Sequence, residues 1–321
     1  MTNNTVRNKL RQTISDTLVN LIPGDYILAD APYYHNIGDI LIWQGFHDFR
    51  PALPGRHVGT YDLTTFNFPA LPKETTVILT GGGNFGDLWR HFQDFRLKVI
   101  ERYPDNRIVM LPQSVWYDDK TLIESDAIIL SRHKDLHLCA RDSFSYDFMK
   151  EHFPKTDIKL MPDMAICISD EALAKYRKPS GTKKLFLKRL DKELDESSSD
   201  IPDLADYDVR DWPTYERQDP MLQLVKRMQG LSYRTRSVRP LNAVATILTS
   251  AVADALVRRR LLKTGVSFLS PYREIVTTRL HTMILAFLLD IPVRYIDNTS
   301  GKLSAFAETW LKESSTVKKY K

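Results

Sequence analysis

Arg279 and His281 carry the most specific chemistry in this 321-residue chain. They stand where a β-type run, Ile275–Thr278, gives way to a helical pattern beginning at His281. The free N–H groups and macrodipole of a helix start favour an anion. A guanidinium offers phosphate or carboxylate a planar fork, and an imidazole adds a donor or a proton carrier. As a lone pair, they would better suit a packed histidine beside a surface arginine; the match of position and chemistry favours anion binding instead. Proton-moving candidates are Asp39, Asp142, Asp163 and His35. Asp39 and Asp142 also suit charge–dipole stabilisation of a helix start, and Asp163 could simply close a turn. A general base needs a hydroxyl within hydrogen-bond reach, which a sequence does not display. Gly81, Gly82 and Gly83 would let a backbone approach a ligand closely, or form a tight turn. The chain contains no GxxxxGK[ST] phosphate loop. His133 and His137 are four apart but straddle a helix end and lack an HExxH glutamate, which argues against a metal site.

The elements that must hold these residues form a repeating pattern. Short apolar runs at Tyr26–Asp30, Thr76–Thr80, Arg107–Leu111, Leu136–Ala140 and Ile158–Met161 read as strands. Helical patterns at Asp39–Phe49, Gly86–Tyr103, Thr121–His133 and Ser143–His152 come after or between them. This alternation predicts a doubly wound α/β domain over residues 1–170. Asp170–Thr182 is polar, carries Pro179 and Gly181, and reads as a hinge. A second α/β domain is expected over 183–321, with strands Lys184–Lys188, Ile275–Thr278 and Val293–Asp297. Its helices are Asp219–Gln229, Leu241–Leu262, His281–Leu289 and Lys302–Lys312. Asp191–Asp206 reads as an exposed acidic loop. Small, polar and charged residues recur just after the strands: His35 to Asp39, Gly81 to Asp87, Gln113 and Ser114, Arg141 to Ser143, Asp163, Arg279 to His281, and Asn298 to Lys302. Parallel strands end on one side of their sheet, where ligands bind. If the two sheet edges face each other, these residues line one cleft.

Composition bounds the alternatives. A 43% apolar, 26% charged chain is globular, and a net charge of +5 permits an anionic substrate or surface. Cys139 and Cys167 are too few for a disulfide framework, so a reducing cytoplasm is the expectation. The first residues lack the apolar core of a signal peptide, and no uninterrupted apolar run is long enough to span a bilayer. The basic residues lack interleaved aromatics and nucleic-acid motifs. Leu241–Leu262 has apolar residues at helical spacing and ends in Arg258, Arg259, Arg260 and Lys263, with Arg234, Arg236 and Arg239 upstream. It fits a core helix with cations at its C-terminus, or a basic surface over 234–263 lying on anionic lipid.

Taken in order, the motifs resemble the polysaccharide pyruvyltransferase family. They are Asn36-Ile-Gly-Asp39, Thr80-Gly-Gly-Gly-Asn84, Pro112-Gln113-Ser114, Ala140 to Ser145, Pro162-Asp163, Arg279-Leu280-His281, and Asp297-Asn298 with Gly301-Lys302. The resemblance implies two Rossmann-like domains facing across a cleft, as in two-domain (GT-B-like) glycosyltransferases. The N-terminal domain would serve the acceptor and the C-terminal one the donor, with the last helix packing back on the N-terminal domain. It also implies phosphoenolpyruvate as donor and a pyruvate ketal as product, commonly bridging positions 4 and 6 of a hexose in capsule or exopolysaccharide. Neither a metal nor a redox cofactor is implied. Donor binding would fall to Arg279, Leu280, His281, Lys302 and a further basic residue: Arg141, with Lys188 and Arg189 as rivals. His281 would be phosphate ligand and candidate acid, and Asp39 the candidate base. His35, Asn36, Gly82, Gly83, Asn84, Gln113, Ser114 and Asp163 would line the acceptor side. A polyprenyl-linked acceptor would place the enzyme at the inner face of the cytoplasmic membrane. The competing readings are a nucleotide-sugar glycosyltransferase of the same architecture and a non-catalytic member of an assembly complex.

Overall fold

The structure is a computed structural model that describes residues 2–188, 204–217, 219–297 and 301–320. Two parallel sheets organise it. The first contains β1 (Tyr26–Leu28), β2 (His57–Thr60), β3 (Thr76–Leu79), β4 (Gly82–Gly86), β5 (Ile108–Trp116), β6 (Leu136–Ala140) and β7 (Asp157–Leu160). Their order is β2-β1-β3-β5-β6-β7, with β4 paired to the later part of β5. The second, in the order β12-β11-β10-β8-β9, contains β8 (Lys184–Leu187), β9 (Tyr207–Arg210), β10 (Glu274–Thr277), β11 (Val293–Tyr295) and β12 (Val317–Lys319). The central strands are unbroken apolar runs because helices cover both sheet faces. Crossovers in the first sheet include α2 (Ile37–Phe49), α3 (Arg90–Arg102), α4 (Lys120–Arg132) and α5 (Ser143–His152).

Several elements differ from the sequence reading. Gln113 and Ser114 lie inside a nine-residue strand rather than a loop. Pro112 is tolerated there because the register shifts between Met110 and Gln113, where β5 exchanges its neighbour β3 for β4 and needs no ladder bond. The triple glycine opens β4, and α3 starts at Arg90, so Gly86 belongs to a strand. The stretch read as a hinge begins with a helix, α6 (Asp170–Tyr176), capped by Ser169 with Asp170 and Glu171 in its first turn. Of the acidic loop, residues 191–203 lie outside the described residues, as do Arg189 and Asn298.

The N-terminal helix α1 (Asn3–Leu21) has no counterpart in the sequence reading. It buries Val6, Leu10, Ile14 and Leu18 in a core that also contains Met164, Ile284 and Leu288. Arg11 donates to the carbonyls of Ile166 and Ile168, after the first sheet, and Arg7 to that of Leu288 in α11 (Leu280–Leu288), beside the second. One apolar cluster therefore takes residues from around both sheets.

The candidate active site

A cavity of about 450 Å³ opens at the C-terminal ends of strands from both sheets, a volume suited to a small-molecule site. Its walls bring together Asp39, Gly83, Asn84, Arg141, Arg279, His281 and Lys302.

On one wall, Arg141 comes directly after β6 and is buried. Its Nε donates to Ser114 Oγ at 2.7 Å and its Nη1 to Asp163 Oδ2 at 3.0 Å. Gly83 keeps this wall open: a Cβ there would lie 3.0 Å from Arg141 Nη2 and 3.2 Å from Lys302 Nζ. Two cations thus meet where Gly83 has no side chain, and Lys302 Nζ donates to the Gly83 carbonyl at 3.3 Å. Lys302 opens α12 (Lys302–Phe306). A π-helical turn, Ala307–Leu311, continues it, and Trp310 Nε1 donates to the Arg141 carbonyl at 2.7 Å.

At the floor, His281 enters from the first turn of α11, and its Nε2 lies 3.3 Å from Asp163 Oδ2. Asp163 is fully buried and caps the 3-10 turn Met164–Cys167 by accepting from Ala165 N. Burial alone would raise its carboxyl. The charges of His281 and Arg141, with the Ala165 hydrogen bond, hold it down to about 2. Gly38 lets α2 close on the imidazole, since a Cβ there would come within 2.5 Å of His281 Nδ1.

Arg279 makes the opposite wall. Its Nε and Nη2 donate to the two carboxylate oxygens of Asp211, both at 2.6 Å, a bidentate pair buried after β10 and β9. The guanidinium lies 4.9 Å from the Tyr215 ring centroid, and Tyr215 meets His35 edge-on at 4.9 Å. His35 is partly desolvated and feels Lys226, and both effects lower its pKa. Asp39, in the first turn of α2, accepts from Tyr34 Oη at 3.0 Å and from Asn36 Nδ2 at 2.7 Å. It is the one carboxylate among the described lining residues. An anion entering here therefore meets Arg141, Lys302, Arg279 and His281, whose counter-charges Asp163 and Asp211 sit behind them.

The sequence profile of the polysaccharide pyruvyl transferase family matches residues 21–300. The chain belongs to that family. It is 30% identical to the candidate pyruvyl transferase EpsO of Bacillus subtilis, over 94% of this chain and 90% of that one. It is 29% identical to pyruvyl transferase 1 of Schizosaccharomyces pombe, over 74% of this chain and 55% of that one. An uncharacterized Klebsiella pneumoniae protein of known structure shares the fold, with a TM-score of 0.59, 18% identity and 93% coverage of both chains.

For this pyruvyl transferase the sequence-derived residues fall into two groups. His35, Asn36, Asp39, Gly83, Asn84, Arg141, Arg279, Leu280, His281 and Lys302 line the cavity. Gly82, Gln113, Ser114, Asp163 and Lys188 do not. Gln113 is buried and donates to the Thr80 carbonyl at 2.6 Å. Ser114 orients Arg141 and donates to Asp142 Oδ2 at 2.6 Å. Lys188 continues from β8, its N–H bonded to the Arg210 carbonyl. Asp142 caps α5, and His133 and His137 are engaged elsewhere, with the Tyr103 carbonyl and with Asp135 and Asp157. Among the described residues no group of His, Cys, Asp and Glu is placed to hold a metal. Trp89, Phe92, Asp211, Trp212 and Tyr215 are absent from the sequence reading. Asp211 and Trp212 directly succeed β9, so the rule applied to the other strands finds them once YDVR is read as a strand.

Proposed function

We propose that the chain transfers the pyruvyl unit of phosphoenolpyruvate to two hydroxyls of one sugar, forming a ketal. The supporting observation is the convergence of Arg141, Lys302, Arg279 and His281 on a cavity with Asp39 as its carboxylate. Phosphoenolpyruvate carries up to three negative charges, and fixed cations in a desolvated site suit it better than mobile ones. In this scheme the donor's methylene carbon gains a proton from His281, creating an oxocarbenium-like centre at C2. A sugar hydroxyl attacks C2 and passes its proton to Asp39. The bond from C2 to the phosphate oxygen then breaks, and a second hydroxyl forms the second C–O bond. Of the two hydroxyl protons, one replaces that given to carbon and the other leaves with phosphate.

The C-terminal unit, 183–321, supplies Arg279, His281 and Lys302 to the donor. The N-terminal unit, 1–170, supplies Asp39, Asn36, Asn84 and aromatic walls to the acceptor, a hexose bridged at positions 4 and 6. The two sheets serve as Rossmann-like halves on either side of the cleft. The scheme uses side-chain cations alone and calls for neither metal nor redox cofactor. The acceptor is a capsule or exopolysaccharide unit, carried on polyprenyl at the cytoplasmic membrane face.

The test is phosphate release from phosphoenolpyruvate with candidate acceptors, read alongside the mass gain of a ketal. His281→Ala should lower release by at least about a thousandfold. Arg279→Ala would strand Asp211 in a buried position, so Arg279→Lys is the cleaner variant and should cost about a hundredfold. Near-normal turnover in either overturns the assignment. Nucleotide release from a sugar nucleotide would replace it with the glycosyltransferase reading.

A further inference from the structure

We infer that the outer face of the hairpin formed by α8 (Pro220–Arg234) and α9 (Arg239–Val252) docks on a lipid bilayer bearing anionic headgroups. The first observation is an inverted helix. α9 buries Asn242, Thr246 and Thr249. Asn242 Nδ2 donates to the Ser232 carbonyl of α8 at 2.8 Å, and Ser232 and Thr246 share a hydroxyl contact at 2.8 Å. Its outward residues are Leu241, Val244, Ile247 and Leu248, and Ile247 is 67% exposed. At 100° per residue these form one stripe, and Leu224 and Leu231 of α8 are exposed as well. A helix facing water carries the opposite pattern. This polarity belongs to a helix whose outer medium is apolar.

Charge identifies that medium. Residues 220–253 contain Lys226, Arg227, Arg234, Arg236 and Arg239, and no Asp or Glu. Two copies meeting through this face would bring like charges together, whereas anionic headgroups complement them. Arg234, Arg236 and Arg239 cluster at the α8–α9 turn with exposed Tyr233 and Val238, a mixture suited to the interface between headgroups and acyl chains. Arg236 and Arg239 also line a cavity of about 710 Å³ with Arg102, room for a headgroup phosphate.

Length decides how deep the element goes. The continuous helix Arg239–Leu269 is long and apolar enough to cross a membrane. Its last part, α10 (Arg259–Leu269), however, buries Leu261, Leu262, Val266 and Leu269 in the protein core. Arg258 is buried too, bonded to Asp254 and Gln44, so it belongs to the fold rather than to a basic surface. The 14 residues of α9 rise only about 21 Å, short of a bilayer core of about 30 Å. The hairpin therefore lies in one leaflet instead of crossing. It roots beside the cavity, where α7 (Pro213–Glu216) carries Tyr215 ahead of α8 and Lys226 acts on His35. Docking would present the cavity to an acceptor carried on lipid, a purpose that rests on the pyruvyl-transfer reading.

Flotation of the full chain with phosphatidylcholine vesicles, with and without phosphatidylglycerol, tests the surface. The wild type should float with the anionic vesicles. Val244→Ser/Ile247→Ser/Leu248→Ser should weaken binding at least about tenfold. Arg234→Ala/Arg236→Ala/Arg239→Ala should weaken it by about a hundredfold. All six positions are exposed, and unchanged thermal melting would confirm that both variants fold. Wild type that stays with the soluble fraction, or variants that float equally, overturn the proposal. So does a wild-type dimer in light scattering that the serine variant dissolves, because a second copy would then cover the face. Phosphate release with a soluble sugar separates the two proposals. A chain that floats but never consumes phosphoenolpyruvate refutes the catalytic reading alone. One that consumes it without floating refutes the docking surface alone.

Discussion

Two arginine–aspartate pairs sit near the C-terminal edge of the first sheet, alike in composition and distance but unlike in surroundings. Arg96 Nε meets Asp30 Oδ2 at 3.2 Å, and Arg141 Nη1 meets Asp163 Oδ2 at 3.0 Å; all four side chains are buried. Around Arg96 everything is closed. Its other donors reach the carbonyls of Asn84 and Thr80, and Asp30 also takes the Thr80 N–H. Burial pushes the Asp30 carboxyl above its ordinary range, against the charge of Arg96. Around Arg141 one side is cavity, and Asp163 also faces the His281 imidazole at 3.3 Å. The same pairing holds backbone in place at one site and keeps a cation cluster poised at the other. What separates them is a void and an imidazole.

That contrast can be broken by mutation. Arg96→Met should have the largest effect, since it leaves Asp30 buried without a counter-charge. A loss of about 3–5 kcal/mol is expected in urea unfolding. Arg141→Lys keeps a charge beside Asp163 but loses the fork to Ser114. Under the proposed function, phosphate release should fall about 10- to 100-fold while stability moves by less than about 1 kcal/mol. If Arg141→Lys destabilises as much as Arg96→Met, the two pairs are both structural and the contrast fails.

Acid unfolding sharpens it further. Asp163 is held at about 2 in the fold, below an unfolded value of about 3.9. A depressed carboxylate contributes stability that is present at neutral pH and lost as pH falls from about 4 through about 2, here on the order of 2–3 kcal/mol. Asp163→Asn should flatten the stability curve across that window; an unchanged slope would place the acid sensitivity elsewhere. Gly83→Ala is the smallest change. Its Cβ would press first on the ends of Arg141 and Lys302, so under the proposed function the KM for phosphoenolpyruvate should rise about tenfold with little change in unfolding.

Much of the site is legible in the sequence because parallel strands deliver their chemistry in a fixed place. Arg141, Arg279, His281 and Asp39 all stand shortly after apolar runs, and the structure gathers them around one cavity. Legibility ends where a strand does not look like one. Pro112 and three successive glycines suggest loops, yet β4 and β5 pair through them, so Gln113 and Ser114 end behind the wall. It ends again at β9, whose four residues come after an acidic stretch and conceal Asp211 and Trp212. The hairpin poses another difficulty. The spacing of Leu241, Val244 and Leu248 marks an apolar stripe in any setting, and spacing does not say whether that stripe faces core or exterior. Only the burial of Asn242 and Thr246 on the other side reveals the direction.

The N-terminal helix has a consequence for how the molecule comes apart. Through Arg11 it holds the turn carrying Met164, and through Arg7 it holds the end of the helix that carries His281 in its first turn. Neither sheet retains its full apolar cover once the other has melted. Calorimetry should therefore record one transition, with calorimetric and van't Hoff enthalpies in agreement, where independently folding halves would give two. In that case the site and the scaffold have a single melting temperature, and no heating regime keeps one half folded while the other is lost.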